Sequence, residues 1–244
     1  MGILGYTAEA QGDLAQAQQY YEKSLTISKE IGDQDGIAWT LYLMGMLAES
    51  QGDAARAMNL YEEALEVERT VKTKPVTSWV LSRVGVLLLQ RGDYERSKLL
   101  FEESLDINQK TGDRPRVAYR LGSLGWCARL QGDYPKACSY YGAGLQLMKQ
   151  AGENDDIAGY LVDIGILLGV QGHPENFARL LGLAEGLFPD VVKTFHPFSR
   201  TETEQYIKTV RAALGEKAYT AAYEAGKQMS LEEAVAYALK KLGQ

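Results

Sequence analysis

The stretch LYLMGMLAESQGDAARAMNLYEEALE, residues 41–66, decides how this chain folds. Leu41, Met44, Leu47 and Ala48 fall on one helical face, and Ala57, Leu60, Tyr61, Ala64 and Leu65 fall on another. This is the spacing of helices that each bury one side. Gln51-Gly52-Asp53 stands between them. Glycine accepts the left-handed backbone that closes a helix, and the Asp carboxylate can take the orphan amides that open the next. The stretch therefore predicts two antiparallel helices joined by a tight turn. Gly45 lies inside the first helix, where glycine costs about 1 kcal/mol relative to alanine. A glycine there predicts that the second helix crosses so close that a Cβ would not fit.

Working outward, the same marks return every 40 residues. Gly12, Gly52, Gly92, Gly132 and Gly172 each follow Gln or Arg, and the first four precede Asp13, Asp53, Asp93 and Asp133; His173 replaces the fifth Asp. Gly5, Gly45, Gly85, Gly125 and Gly165 keep the same period, while Gly32, Gly112 and Gly152 are interrupted at Lys72. These three registers hold 13 of the 25 glycines, so the chain is read as a repeat array before anything else. The expected repeats are 1–32, 33–72, 73–112, 113–152 and 153–188. Gly32-Asp33, Gly112-Asp113 and Gly152-Glu153 mark the longer loops between repeats, with Pro115 helping to stop helix propagation.

The pattern of a large apolar residue, Leu-Gly, a turn, a small residue, an aromatic and a second small residue resembles the tetratricopeptide repeat. Leu41, Met44-Gly45, Ala57, Tyr61 and Ala64 carry it in the second repeat, and Leu121, Leu124-Gly125, Ala137, Tyr141 and Gly144 in the fourth. Leu4-Gly5, Ala17, Tyr21 and Ser24, then Leu81, Val84-Gly85, Ser97, Phe101 and Ser104, carry it in the first and third. The fifth repeat departs, with Phe177 where a small residue belongs and Leu181 in place of the aromatic. The period exceeds the usual 34 and is similar to that of kinesin light chains and bacterial regulatory ATPases. The resemblance implies an all-α fold: a right-handed superhelix, or α-solenoid, of five helix-turn-helix repeats.

At the N-terminus, Met1 stands in the register of Leu41, so the first repeat is truncated. One expectation is a fragment of a longer protein; the alternative is a shortened terminal helix. The edge with Ile3, Leu4 and the face of Tyr20 and Leu25 is expected to pair with a second copy, because each repeat buries a face against the next. Beyond Pro189 the period fails. Residues 189–244 read as an irregular connection and three capping helices: one from about Arg200, one over 216–228 with Ala218, Ala221, Ala222 and Ala225 on its small-residue face, and one over 231–242. Ser230 with Glu233 forms a capping box for the last. Arg179-Leu180-Leu181-Gly182, Leu214-Gly215-Glu216 and Met229-Ser230-Leu231-Glu232-Glu233-Ala234 are similar to the C-terminal end of bacterial signal-transduction ATPases and LuxR-type transcriptional regulators. That resemblance implies a nucleotide-binding switch domain upstream.

Composition narrows function. With 26 Lys and Arg against 32 Asp and Glu, the charge of −6 has the wrong sign for a nucleic-acid surface. No apolar run approaches a membrane span. Cys127 and Cys138 are too few for a disulfide framework, so a reducing cytoplasm is expected. Gly215-Glu216-Lys217 lacks the leading glycines and strand of a phosphate loop. His173 and His196 have no ligand partners at helical spacing, and Asp155-Asp156 is explained by the dipole of the helix it precedes. The chain is expected not to be an enzyme and to need no cofactor or metal.

Surface remains. In tetratricopeptide geometry the first helix of each repeat lines the concave face. The register assigns to that groove Trp39, Tyr42 and Met46; Trp79, Ser82 and Val86; Tyr119, Trp126 and Arg129; and Val162 and Ile166. All three tryptophans fall there. Trp and Tyr carry binding energy well because they bury large rigid area at low entropic cost. The same rings could instead pack between repeats. The expected partner is a protein or peptide segment, or a small-molecule inducer, without nucleic acid or membrane. Two contexts stay open: the sensor region of a larger bacterial regulator, or a free-standing adaptor.

Overall fold

The computed structural model describes residues 2–70, 76–152, 154–194 and 197–243. The expected start of the third repeat, His196, and the side chain of Asp155 fall outside those residues. The chain divides into two units, residues 1–107 and 108–244. Among the described residues all regular structure is helical.

The first unit holds α1 (Gly2–Ala10), α2 (Leu14–Ile31), α3 (Gln34–Ser50), α4 (Ala54–Thr70), α5 (Thr77–Gln90) and most of α6 (Tyr94–Thr111). Helices α1 and α2 pair, as do α3 and α4, and α2 and α4 pack in turn on α3 and α5. The α5–α6 pair is fixed where Ser97 donates its hydroxyl to the Gly85 carbonyl at 2.7 Å. Gly52, at φ +79°, forms the turn the sequence predicts. Asp53 then accepts the Arg56 amide at 3.0 Å. Asp13, Asp33 and Asp93 cap their helices in the same way. Each such cap stabilises by about 1 kcal/mol.

The interior glycines answer the steric expectation. A Cβ on Gly45 would overlap the Tyr61 ring, and one on Gly85 would stand 2.6 Å from Phe101 Cε1. The aromatic of the second helix thus packs directly on the glycine of the first. Tyr21, Tyr61 and Phe101 are fully buried by this packing.

The second unit adds α7 (Arg114–Leu130), α8 (Tyr134–Ala151), α9 (Asn154–Val170) and α10 (Pro174–Leu187), then α11 (Val191–Thr194), α12 (Pro197–Leu214), α13 (Glu216–Lys227) and α14 (Leu231–Lys241). Tyr141 covers Gly125, where a Cβ would lie 2.7 Å from the ring. In the fifth pair the aromatic sits one turn earlier. Phe177 covers Gly165, and the would-be Cβ contact relaxes to 3.2 Å.

Helix α9 has neighbours on nearly every side: α8, α10, α11, α12 and α14 all pack on it. Its sequence, apolar almost all round, matches that position. Helix α13 departs from the expected face. Ala218, Ala221 and Ala225 point to solvent, and the buried face is Tyr219, Ala222 and Gly226. The cause is backbone contact between α10 and α13: a Cβ on Gly182 would strike the Tyr223 carbonyl, and one on Gly226 the Arg179 carbonyl. The capping box forms as predicted, with the Ser230 amide donating to Glu233 at 2.8 Å and the Glu233 amide to Ser230 Oγ at 3.3 Å.

Candidate functional site

In the first unit, α1, α3 and α5 lie side by side and leave an open groove of about 370 Å³ between them. Spacing explains the lining. Trp39, Tyr42 and Met46 are three and four residues apart on one face of α3, Gly2 and Tyr6 are four apart on α1, and Trp79 comes from α5. The Tyr42 ring stands 5.4 Å from Trp39 and 6.2 Å from Trp79, centroid to centroid, within the range of attractive aromatic pairs. Tyr42 itself is buried, while Trp39 keeps 42% of its surface exposed and Tyr6 59%. The aromatic floor is thus held rigid from beneath and open above. Ile3 and Leu43 complete an apolar wall. Ser82 is buried and Val86 half-buried on α5; neither lines the groove.

Beneath this floor lies a polar node that the sequence reading missed. Tyr61 donates its hydroxyl to Glu49 at 2.5 Å, and Arg83 Nε donates to the same carboxylate at 3.0 Å. The Glu49 side chain is only 4% exposed and that of Arg83 26%, so the ion pair is buried on its carboxylate side. Burial pushes the Tyr61 hydroxyl far above its ordinary range, and Glu49 adds to that, against the opposing charge of Arg83. Burial is the largest influence on Arg83 and opposes its charge, but Glu49 together with Tyr61 and Tyr42 outweighs it, and the guanidinium stays above its usual pKa.

The second unit uses the same registers with signs exchanged. Glu49 and Arg83 are 34 residues apart, and Arg129 and Asp163 have that separation too. Tyr141 takes the place of Tyr61, fully buried, its hydroxyl raised by burial and by Asp163. A third group intervenes: Arg129 Nη2 donates to both oxygens of Glu202, at 2.8 and 3.0 Å, from α12. The Asp163 carboxyl is pushed up to about 7 by burial and by Glu202, with Arg129 pulling the other way.

This contact changes the assignment of the remaining candidates. Arg129 is a groove residue by register, yet its side chain is 5% exposed and committed to Glu202. Val162 and Ile166 are buried at 0% and 2%, in one core cluster with Val191 and Val192 of α11 and Val210 of α12. Close by, a Cβ on Gly169 would overlap the Tyr206 hydroxyl of α12. These three positions therefore offer no open surface, because the C-terminal helices cover them. Tyr119 is exposed and Trp126 half-buried on α7.

Helix pairs joined by left-handed glycine turns and crossed aromatic on glycine, repeated at a fixed period, define a family, and the tetratricopeptide repeat model matches residues 1–69 and 76–150. The chain is a tetratricopeptide repeat protein. No curated protein matches it in sequence. Among solved structures, the apo form of RapI is similar at 17% identity and TM-score 0.64, over 99% of this chain and 97% of that one. BtubC from P. vanneervenii is similar at 16% identity and TM-score 0.61, over 95% and 90%. A putative kinesin light chain with TPR-like repeats from Podospora anserina is similar at 12% identity and TM-score 0.54, over 88% and 93%. At these identities the likeness is one of fold.

Tetratricopeptide repeat proteins are generally non-catalytic scaffolds that bind protein or peptide partners. Among the described residues there is no group of three metal-ligating side chains and no helix long and apolar enough to cross a membrane. Cys127 is buried and Cys138 half-buried, and the two are not joined in a disulfide. His173 is exposed at the N-terminus of α10 and makes no capping bond.

Proposed function

We propose that the chain is an interaction module and that the groove of the first unit receives an apolar or aromatic peptide segment from a protein partner. The observation that carries this is the convergence of Trp39, Tyr42 and Trp79 on one open, rigid floor. Large aromatic side chains already ordered before binding lose little entropy on contact, which is the character of a binding hot spot. A packing role between repeats would bury Trp39 instead of leaving it open on the groove. The wider context we favour is the sensor or scaffold region of a larger cytoplasmic bacterial regulator, on the strength of the C-terminal sequence resemblance; a free-standing adaptor would use the same groove.

A random-peptide phage library panned on the protein and on the Trp39→Ala/Trp79→Ala variant tests the groove. Clones enriched on the parent are expected to lose at least about tenfold in affinity on the variant. Clones that bind both equally, with helicity intact by circular dichroism, would overturn the reading.

A further inference from the structure

Charge is distributed unevenly along this chain. Residues 1–107 hold ten Lys and Arg against seventeen Asp and Glu, a balance of −7, while residues 108–244 hold sixteen against fifteen, a balance of +1. The acidic character of the protein therefore belongs to the unit that contains the open groove.

The helices that line the groove sharpen the contrast. Helices α1, α3 and α5 carry Glu9, Asp35 and Glu49 and a single basic residue, Arg83. Arg83 already donates to Glu49, so its charge is compensated where it stands. Asp35 lies one helical turn before Trp39 on α3, and Glu9 lies one turn beyond Tyr6 on α1. Each continues the face of an aromatic that lines the groove. In the second unit the first helices α7 and α9 together carry four arginines against three carboxylates, Asp155, Asp156 and Asp163. The aromatic rings act in the same direction, since the face of a Trp or Tyr ring is negative and attracts a cation.

We propose that the segment bound by this groove is cationic: a peptide whose apolar or aromatic side chains enter between Trp39, Tyr42 and Trp79 while flanking Lys or Arg residues meet Asp35, Glu9 and the ring faces. This rests on the groove reading above and adds the chemical class of the partner. Two contributions should then separate experimentally. Apolar contact persists in salt, whereas exposed charge attraction falls as ionic strength rises.

The test uses the full chain, a random-peptide phage library, and three protein forms: the parent, Glu9→Gln/Asp35→Asn, and Trp39→Ala/Trp79→Ala. Sequences enriched on the parent are expected to carry net positive charge around apolar anchors. One enriched peptide, synthesised with its Lys and Arg intact or replaced by Gln, should bind about tenfold more weakly after replacement at low salt. That gap should narrow at high salt and on Glu9→Gln/Asp35→Asn. In that variant the amide oxygen introduced on α1 can still take the Tyr21 hydroxyl bond that the Glu9 carboxylate accepts at 3.0 Å. Enriched peptides without positive charge, or a gap unchanged by salt and by the carboxylate variant, overturn the cationic partner and leave the groove standing. Binding indifferent to Trp39→Ala/Trp79→Ala overturns the groove itself, and the cationic partner with it. Should the double variant lose helicity, Trp39→Ala alone replaces it, since that ring is already 42% exposed.

Discussion

Replacing Asp163 with Asn should make the second unit more stable at neutral pH and remove a pH dependence that the parent shows. Asp163 sits on α9 with Arg129 of α7, Glu202 of α12 and Tyr141 of α8 around it, and its carboxyl is raised from 3.8 to about 7. Below about pH 4 both folded and unfolded chains hold this proton. Between about pH 4 and 7 the folded chain keeps it and the unfolded chain has lost it, so stability from this group falls as pH rises, then levels off. At about 1.4 kcal/mol per tenfold, the full rise corresponds to roughly 4 kcal/mol. Asp163 is only half-buried by its exposed surface, and water contact should reduce the effect to about 2 kcal/mol. Urea unfolding from pH 4.5 to 8 measures it, followed by Trp126 fluorescence in a Trp39→Phe/Trp79→Phe background so that only the second unit reports. The difference between Asp163→Asn and its parent cancels the general effect of net charge. It should grow by about 2 kcal/mol in favour of Asn as pH rises. Parallel profiles, or a difference that moves in favour of Asp as pH rises, would refute the reasoning.

Gly125→Ala, where the new Cβ stands 2.7 Å from Tyr141, should destabilise by about 1–3 kcal/mol. Gly165→Ala, at 3.2 Å from Phe177, should be close to neutral because helix propensity returns about 1 kcal/mol; thermal melts of both compare one register in two repeats. Arg83→Ala leaves the Glu49 carboxylate without its Arg83 partner and should cost about 1–3 kcal/mol by urea titration, with Glu49→Gln/Arg83→Met recovering most of it. Glu202→Gln should weaken the hold of α12 and raise amide exchange in residues 200–214 while α3 and α4 stay protected, as hydrogen exchange would show.

Much of this architecture is legible in local chemistry. Asp53 caps α4 because a carboxylate there meets free amides, and Gly52 turns because no side chain resists the left-handed backbone; both effects act within four residues and so print themselves on the sequence. The groove aromatics Trp39, Tyr42 and Trp79 follow from register alone, since successive first helices carry them on one face. Arg129, Val162 and Ile166 escape the register for the opposite reason. Their cover comes from Glu202 and the valines of α11 and α12, up to 73 residues away and outside the period. The buried face of α13 is hidden from its own composition because the glycines of α10 choose it. One further signal does stand in the sequence: Glu49 with Arg83 and Arg129 with Asp163 share a separation of 34 in a chain of period 40.

The opposite signs at these two registers bear on which repeat numbers the fold can carry. Loss of two repeats between Glu49 and Asp163 would seat Asp163 in the register Arg83 fills, setting two carboxylates against one buried Tyr61 hydroxyl. Loss of one would seat Ser123 there and strand Glu49 without a cation. Either junction carries the penalty of an uncompensated buried charge. Charge at these two registers thus ties the repeats between them to a fixed number, since either shortening sets a buried carboxylate against the wrong neighbour.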